Sequence, residues 1–95
     1  MSARQRVDIW LFRARFAKTR AAASRLVAEG GVRVVHEGLP RRLEKPSVEV
    51  EPGDTLMFTQ GGKLLALKVV ALGDRRGPAS EARGLYRELD AASLA

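Results

Sequence analysis

The spacing of apolar residues near the start of the chain predicts a helix over residues 7–15. Its buried face consists of Val7, Trp10, Leu11 and Ala14. Ile9 and Phe12 fall on the opposite side of the same helix, which is unusual for a face in water. We therefore expect another part of the chain to cover that side.

A second helix is predicted after a short connection at residues 16–18. Thr19 is a suitable N-cap, and the helix runs to about Glu29. Glycine accepts the left-handed backbone conformation that ends helices, so Gly30 and Gly31 mark the end. The buried stripe of this helix consists of Ala22, Ala23, Leu26 and Val27.

From residue 32 onward the pattern changes to alternation with β-branched residues, which predicts strands. These strands cover residues 32–35, 47–50, 55–59 and 64–72. The polar stretch 36–45 between the first two predicts a flexible loop, and Ser80 is a suitable N-cap for a third helix. The apolar positions of that helix are Ala82, Leu85, Tyr86 and Leu89. This order predicts an α+β fold in which two N-terminal helices pack on a small antiparallel sheet and a C-terminal helix follows.

The charge is concentrated in the first half of the chain. The 95 residues, enough for a single domain over 1–95, carry a formal net charge of +6. Residues 1–48 hold 11 basic and 4 acidic side chains, whereas residues 49–95 hold 6 and 7. A polyanion is therefore expected to bind the first half, although a solvated basic face is the alternative.

The residue inventory excludes several classes of site. The chain has no cysteine and a single histidine, His36, which we interpret as a solvated loop residue. We therefore predict no metal site, no cofactor and no catalytic residues. No apolar signal segment or membrane span follows the N-terminus, so a cytoplasmic location and no membrane partner are expected.

Several short motifs in order resemble the RNA-binding domain named after small-subunit ribosomal protein S-four. The resemblance covers residues 4–59, and residues 60–95 then hold the last strand and the C-terminal helix. The motifs are Arg6-Val7-Asp8-Ile9-Trp10-Leu11, Lys18-Thr19-Arg20, Gly30-Gly31-Val32-Arg33-Val34, Lys45-Pro46-Ser47 and Val50-Glu51-Pro52-Gly53-Asp54. This chain departs from the domain at Val32-Arg33-Val34-Val35-His36-Glu37-Gly38, where the domain usually has Val-x-Val-Asn-Gly, and the loop before Lys45-Pro46-Ser47 is longer by a few residues.

A narrower resemblance is to the bacterial fifteen-kilodalton heat-shock protein family. It rests on residues 10–20 and on the segment Arg75-Arg76-Gly77-Pro78-Ala79-Ser80-Glu81-Ala82. The family resemblance implies an αL-type RNA-binding fold, no enzymatic activity and association with ribosomal RNA of the large ribosomal subunit. It also implies a role in stress-linked rescue of stalled subunits that still carry nascent chain on peptidyl-tRNA.

Carried over by position, the resemblance predicts an RNA surface on the two helices and the strand after them. Its residues are Arg6, Arg13, Arg15, Lys18, Thr19, Arg20, Arg25, Arg33 and Lys45. For Thr19 we favour a helix cap over a phosphate contact. For Phe12 we favour packing under the third helix over RNA stacking or simple exposure.

The resulting hypothesis is a non-catalytic, monomeric RNA-binding protein. One alternative is a general RNA- or DNA-binding module, because the charge suits DNA equally well. Another is an accessory domain related to those of RNA-modifying enzymes. A membrane-surface helix is disfavoured, since the apolar faces are needed for the core.

Overall fold

The computed structural model describes residues 3–89, and its elements alternate between short helices and strands. The helical elements are α1 (Val7–Arg13), α2 (Arg20–Ala28), α3 (Ala79–Ala82) and a 3₁₀ turn (Arg83–Leu85). The strands are β1 (Gln5–Arg6), β2 (Val32–His36), β3 (Leu39–Arg42), β4 (Glu49–Val50), β5 (Thr55–Gln60), β6 (Lys63–Val69) and β7 (Tyr86–Leu89).

Five of the strands form one antiparallel sheet in the order β3-β2-β5-β6-β7, and β1 pairs with β4 beside it. Val34 pairs with Leu56, and Leu56 pairs with Leu67, so buried side chains line up across three strands. Side chains alternate between the two faces of a strand, so these residues share the face that meets the helices. The predicted α+β architecture is confirmed, with a core shared by the helices and this face of the sheet.

Helix α1 is shorter than predicted, because the chain reverses at Arg15. Arg15 has a left-handed backbone (φ +68°), and the Phe16 amide donates to the carbonyl of Leu11 at 2.9 Å. The reversal turns Phe16 inward, where its ring meets those of Phe58 and Tyr86 at centroid distances of 5.6 and 4.7 Å. Residues 16–18, predicted as a simple connection, therefore include an aromatic side chain that packs against the hydrophobic core.

Helix α2 begins and ends where the sequence predicts. The Ala22 amide donates to the hydroxyl of Thr19 at 3.0 Å, so Thr19 is the predicted N-cap. Gly30 follows the helix with φ +77°, a conformation that glycine adopts without a Cβ clash. Ala23 and Val27 are fully buried against α1 and the sheet.

The stretch predicted as a flexible loop at 36–45 is instead largely a β-hairpin. β3 pairs with β2 residue by residue, with Arg33 opposite Arg42 and Val35 opposite Pro40. Glu37 and Gly38 both have positive φ, at 50° and 80°, as a two-residue hairpin turn requires. The prediction was wrong because β3 is an exposed edge strand, held by backbone pairing and not by an apolar stripe.

The C-terminal helix is present but much shorter than predicted. α3 ends at Ala82, and Tyr86 to Leu89 form strand β7 along β6, with Tyr86 opposite Val69. Backbone pairing and the contact with Phe16 favour the strand, although the apolar spacing also fits a helix. The ring of Phe12 is covered by the guanidinium of Arg76, 5.2 Å from its centroid, and so the group over it comes from the segment before α3. Across residues 3–89, no helix has the length and apolar character that a membrane crossing requires.

Candidate nucleic-acid interface

Three arginines next to or at the end of α1 donate hydrogen bonds to other groups of the protein. Arg13 donates to the carbonyl of Gly73 at 2.5 Å, and Arg15 donates to the carbonyl of Gly77 at 2.8 Å. Arg6 forms a two-point contact with the carboxylate of Asp8, at 3.1 and 3.0 Å. We call Arg6, Arg13 and Arg15 the tethered arginines. Arg13 and Arg15 fasten the end of α1 to the segment before α3, and Arg6 is bonded to Asp8 in the first turn of α1.

Asp8 is the acceptor at the centre of the contact between the two helices. Its side chain is 2% exposed and also accepts hydrogen bonds from the hydroxyl of Ser24 and the amide of Ile9. Burial works against its ionisation, but the hydrogen bonds from Arg6, Ser24 and Ile9 outweigh this and lower the pKa of Asp8 below its ordinary 3.8. Asp8 therefore stays charged and fixes α1 against α2.

The N-terminus of α2 presents two cations beside a positive helix end. Lys18 and Arg20 flank the cap residue Thr19, and all three are exposed. Unpaired amides and the helix dipole make such a terminus attractive to phosphate groups. Because the hydroxyl of Thr19 already accepts from Ala22, its structural role as a cap is satisfied before any ligand binds.

Arg25 stands on the solvent face of α2 between two small residues. Ala21 and Ala28 lie four positions before it and three after it, and both are exposed. Positions at these spacings are neighbours on a helix surface. The small side chains of Ala21 and Ala28 leave the guanidinium of Arg25 accessible, so that a nucleic-acid backbone can approach it closely.

A third group of cations follows α2 along the β2–β3 hairpin. Arg33 of β2 is exposed and lies opposite Arg42 of β3, whose Nε donates to the carbonyl of Gly30 at 3.3 Å. Arg42 thus brings the edge strand to the end of α2. Lys45 is also exposed, three residues beyond β3.

The predicted site residues therefore fall into two classes. One class is the tethered arginines. The other, which we call the exposed cations, has no side-chain hydrogen bond or ion pair to any residue within 3–89. The exposed cations are Lys18, Arg20, Arg25, Arg33 and Lys45.

Arg42 is the residue that the sequence-based site omitted although the structure places it beside Arg33. The signal that could have found it is the dipeptide Glu37-Gly38. A two-residue turn at that point pairs β2 with the next four residues and places Arg42 directly across from Arg33.

His36 is also placed differently from the prediction. It is the last residue of β2, not a solvated loop residue, and its Nδ1 lies 2.6 Å from a carboxylate oxygen of the buried Asp54. That hydrogen bond and the charges of Asp54, Glu37 and Glu51 raise the pKa of His36 above 6.5. Within the described part of the chain, His36, Glu51 and Asp54 are the one group of three side chains placed to hold a metal ion.

Comparison with known proteins gives a consistent result. Residues 5–34 match the family model of the S4 domain, a stretch that contains both helices and the first part of β2. Heat shock protein 15 of Escherichia coli strain K12 is 45% identical over 83 residues, and the match covers 87% of this chain and 59% of that protein. The homologue from Haemophilus influenzae is 40% identical over 85 residues, covering 90% of this chain and 61% of its own length.

A solved structure, described as the trimeric structure of Vibrio cholerae heat shock protein 15, superposes with a TM-score of 0.80 at 37% identity. It covers 97% of this chain and 87% of that one. This chain belongs to the heat shock protein 15 family. Its S4 domain holds both the tethered arginines and most of the exposed cations, and the chain spans about three fifths of the length of the curated heat shock protein 15 relatives.

Proposed function

We propose that the protein binds structured ribosomal RNA without catalysing a reaction, and that the exposed cations supply most of its affinity. The observation that carries the proposal is the group of unpaired cations within and beside the S4 domain, which starts at the N-terminus of α2 and continues to β3. Arginine donors match phosphate oxygens in geometry and charge. Phosphate contacts position a protein on nucleic acid, so recognition by shape is expected to dominate.

The tethered arginines play a different part in this proposal. Their hydrogen bonds to Asp8, Gly73 and Gly77 hold the surface in place. Lys18, Thr19 and Arg20 form the phosphate site at the helix end, and Arg25, Arg33 and Lys45 extend it. Arg42, beside Arg33, is added to the set.

Family membership supports a finer proposal about the partner. We infer that the RNA is that of the large ribosomal subunit, and that the protein acts in the cytoplasm during stress-linked rescue of stalled subunits carrying nascent chain on peptidyl-tRNA. The test is co-sedimentation of the purified chain with separated ribosomal subunits at several salt concentrations. Preferential recovery with large subunits agrees with the proposal. Equal recovery with both subunits and with duplex DNA competitor favours a general nucleic-acid-binding module.

An enzyme related to RNA-modifying proteins is the second class of function to test. The expected result is no modified nucleoside after incubation of ribosomal RNA with the protein and common methyl donors, measured by mass spectrometry of the digested RNA. Appearance of a modified nucleoside that depends on the protein contradicts the non-catalytic proposal.

The oligomeric state belongs to the same set of measurements. The sequence predicts a monomer, whereas the V. cholerae relative was solved as a trimer. Light scattering at the protein concentrations of the RNA titration gives the mass directly. A mass near 10.4 kDa agrees with the monomer, and a threefold larger mass contradicts it.

A further inference from the structure

Three side chains with metal-donor atoms, one at the end of β2 and two from the turn between β4 and β5, lie close together. His36 ends β2, Glu51 follows β4, and Asp54 directly precedes β5. The Nδ1 atom of His36 lies 2.6 Å from Oδ1 of Asp54 and 3.5 Å from Oε1 of Glu51. One donor atom from each residue falls within 4.8 Å of the other two.

The two carboxylates are held in place by their own turn. The Glu51 amide donates to Oδ2 of Asp54 at 3.0 Å, and the Asp54 amide donates to the carbonyl of Glu51 at 3.1 Å. A backbone pair also joins the turn to β6, since Val69 donates to the carbonyl of Asp54 at 2.8 Å. Such a turn presents Oδ1 of Asp54 toward His36 without further ordering, which lowers the entropic cost of binding a ligand there.

Glu51 also has a carboxylate oxygen that accepts no hydrogen bond, although an arginine pairs with it. Oε2 of Glu51 is buried and accepts no hydrogen bond, and the Nε of Arg4 stands 3.6 Å from it. The Nε2 of His36 lies 3.9 Å from the carboxylate of the exposed Glu37, too far for a hydrogen bond in this structure but near enough to form one if the side chain turns. Histidine ligands of metals commonly donate their second ring N–H to a carboxylate, which orients the ring and raises its basicity.

The distances suit a small transition-metal ion. Metal–ligand bonds of about 2.0–2.1 Å in a tetrahedral site place neighbouring donor atoms roughly 3.3 Å apart. The 3.5 Å separation of His36 and Glu51 already matches this. The 2.6 Å hydrogen bond between His36 and Asp54 would lengthen as the metal replaces the shared proton. One imidazole and two carboxylates also neutralise a divalent charge and favour zinc-like ions over calcium or magnesium.

We propose that His36, Glu51 and Asp54 bind a divalent transition-metal ion of the zinc class. An open cavity of about 290 Å³ adjoins the three residues and leaves room for water as a fourth ligand. Its other charged lining residues are Arg4, Arg41 and Glu49. Arg4 competes with the metal for Glu51, so the expected site is one that exchanges its metal and does not require it for folding.

The test is calorimetric titration of the full chain, free of any histidine tag, with zinc chloride at neutral pH. Cobalt chloride then gives a visible absorption spectrum that reports the geometry of the site. The wild-type protein is expected to bind one zinc ion saturably. His36→Asn and Glu51→Gln are each expected to weaken binding by about tenfold or more. Glu29→Gln, an exposed carboxylate at the end of α2, is the matched control and keeps wild-type affinity.

Thermal unfolding supplies an independent measurement. Zinc is expected to raise the melting temperature of the wild-type protein and of Glu29→Gln, but not that of the two cluster variants. Circular dichroism checks that each variant is folded. His36→Asn is the milder change, because the side chain of His36 is 40% exposed and that of Glu51 is 16% exposed. Absence of saturable zinc binding to the wild-type protein, or equal affinity in the folded cluster variants, would overturn the proposal and leave only a histidine–carboxylate ion pair.

Discussion

The two arginines at and just beyond the end of α1 and the two arginines within α2 are used in opposite ways. Arg13 and Arg15, from the end of α1, give their donors to backbone carbonyls 60 and 62 residues away, whereas Arg20 and Arg25 of α2 extend into solvent. The difference teaches that a basic sequence is not by itself a binding surface. Charge attracts a polyanion from either helix, but only donors without a partner are ready to contact phosphate.

The largest expected effect is on RNA affinity when α2 loses its arginines. Arg20→Ala combined with Arg25→Ala removes two charge-assisted contacts, each corresponding to about a tenfold change in affinity. We expect a loss of about a hundredfold in filter binding at fixed salt, with the unfolding free energy unchanged within about 0.5 kcal/mol. A binding loss below twofold in the folded double variant contradicts the assignment of affinity to α2.

Asp8→Ala is expected to act on stability and not on binding. It leaves the guanidinium of Arg6 and the hydroxyl of Ser24 without their common acceptor, and we expect a cost of about 2–3 kcal/mol in urea unfolding. RNA affinity of the folded fraction should stay within about twofold of wild type.

The lowered pKa of Asp8 makes the free energy of unfolding depend on pH. Since its folded pKa lies below the ordinary 3.8, the stabilisation is present above that pH and is lost as the pH falls through the folded pKa. Urea unfolding at a series of acidic pH values measures this loss, and the Asp8→Ala variant should show a shallower decline. Equal declines in both proteins exclude Asp8 as the cause.

Arg13→Ala and Lys18→Ala form a matched pair, because the first removes a tethered arginine and the second removes an exposed cation. Removing the Arg13 side chain deletes its hydrogen bond to Gly73 and opens the contact of α1 with the segment before α3, so we expect a cost of about 1–2 kcal/mol. Lys18→Ala should cost less than about 0.5 kcal/mol and should weaken RNA binding instead. Thermal unfolding and filter binding of both variants distinguish the two roles, and a reversed pattern refutes them.

Two substitutions at Thr19 separate its capping of α2 from any contact of its hydroxyl with phosphate. Thr19→Ala removes the acceptor for the Ala22 amide and should cost about 1 kcal/mol. Thr19→Ser keeps the acceptor and should restore most of that stability. If Thr19→Ala loses RNA affinity while Thr19→Ser keeps it and both remain folded, the hydroxyl contacts phosphate in addition to capping.

Local signals in the sequence were sufficient for α2 and for the central strands. The Thr19 cap and the alternating residues of β5 act within a few positions, so their spacing predicts them. Elements stabilised by distant partners were harder to predict. Strand β3 is held by pairing with β2, and Tyr86 is held in β7 by Val69 and by the ring of Phe16, contacts that no local pattern contains.

The same limit applies to the candidate site. The sequence locates the positive charge in the first half of the chain, and the motifs indicate which helices carry it. The carbonyls of Gly73 and Gly77 that bind Arg13 and Arg15 belong to the other half of the chain, so the tethered arginines look identical to the exposed cations in the sequence. The contact between His36 and Asp54 was missed for the same reason, because the two residues are 18 positions apart and their spacing does not indicate that they are close in the fold.

The salt dependence of RNA binding tests the division between the helices most directly. Each phosphate contact contributes a slope of about 0.7–0.9 to the fall of log K with log salt. We predict that Arg20→Ala with Arg25→Ala reduces the slope by about 1.4–1.8, whereas Arg13→Ala with Arg15→Ala leaves it unchanged in the folded protein. An equal reduction of the slope in both double variants would contradict the account, because the tethered arginines would then contact phosphate as the exposed cations do.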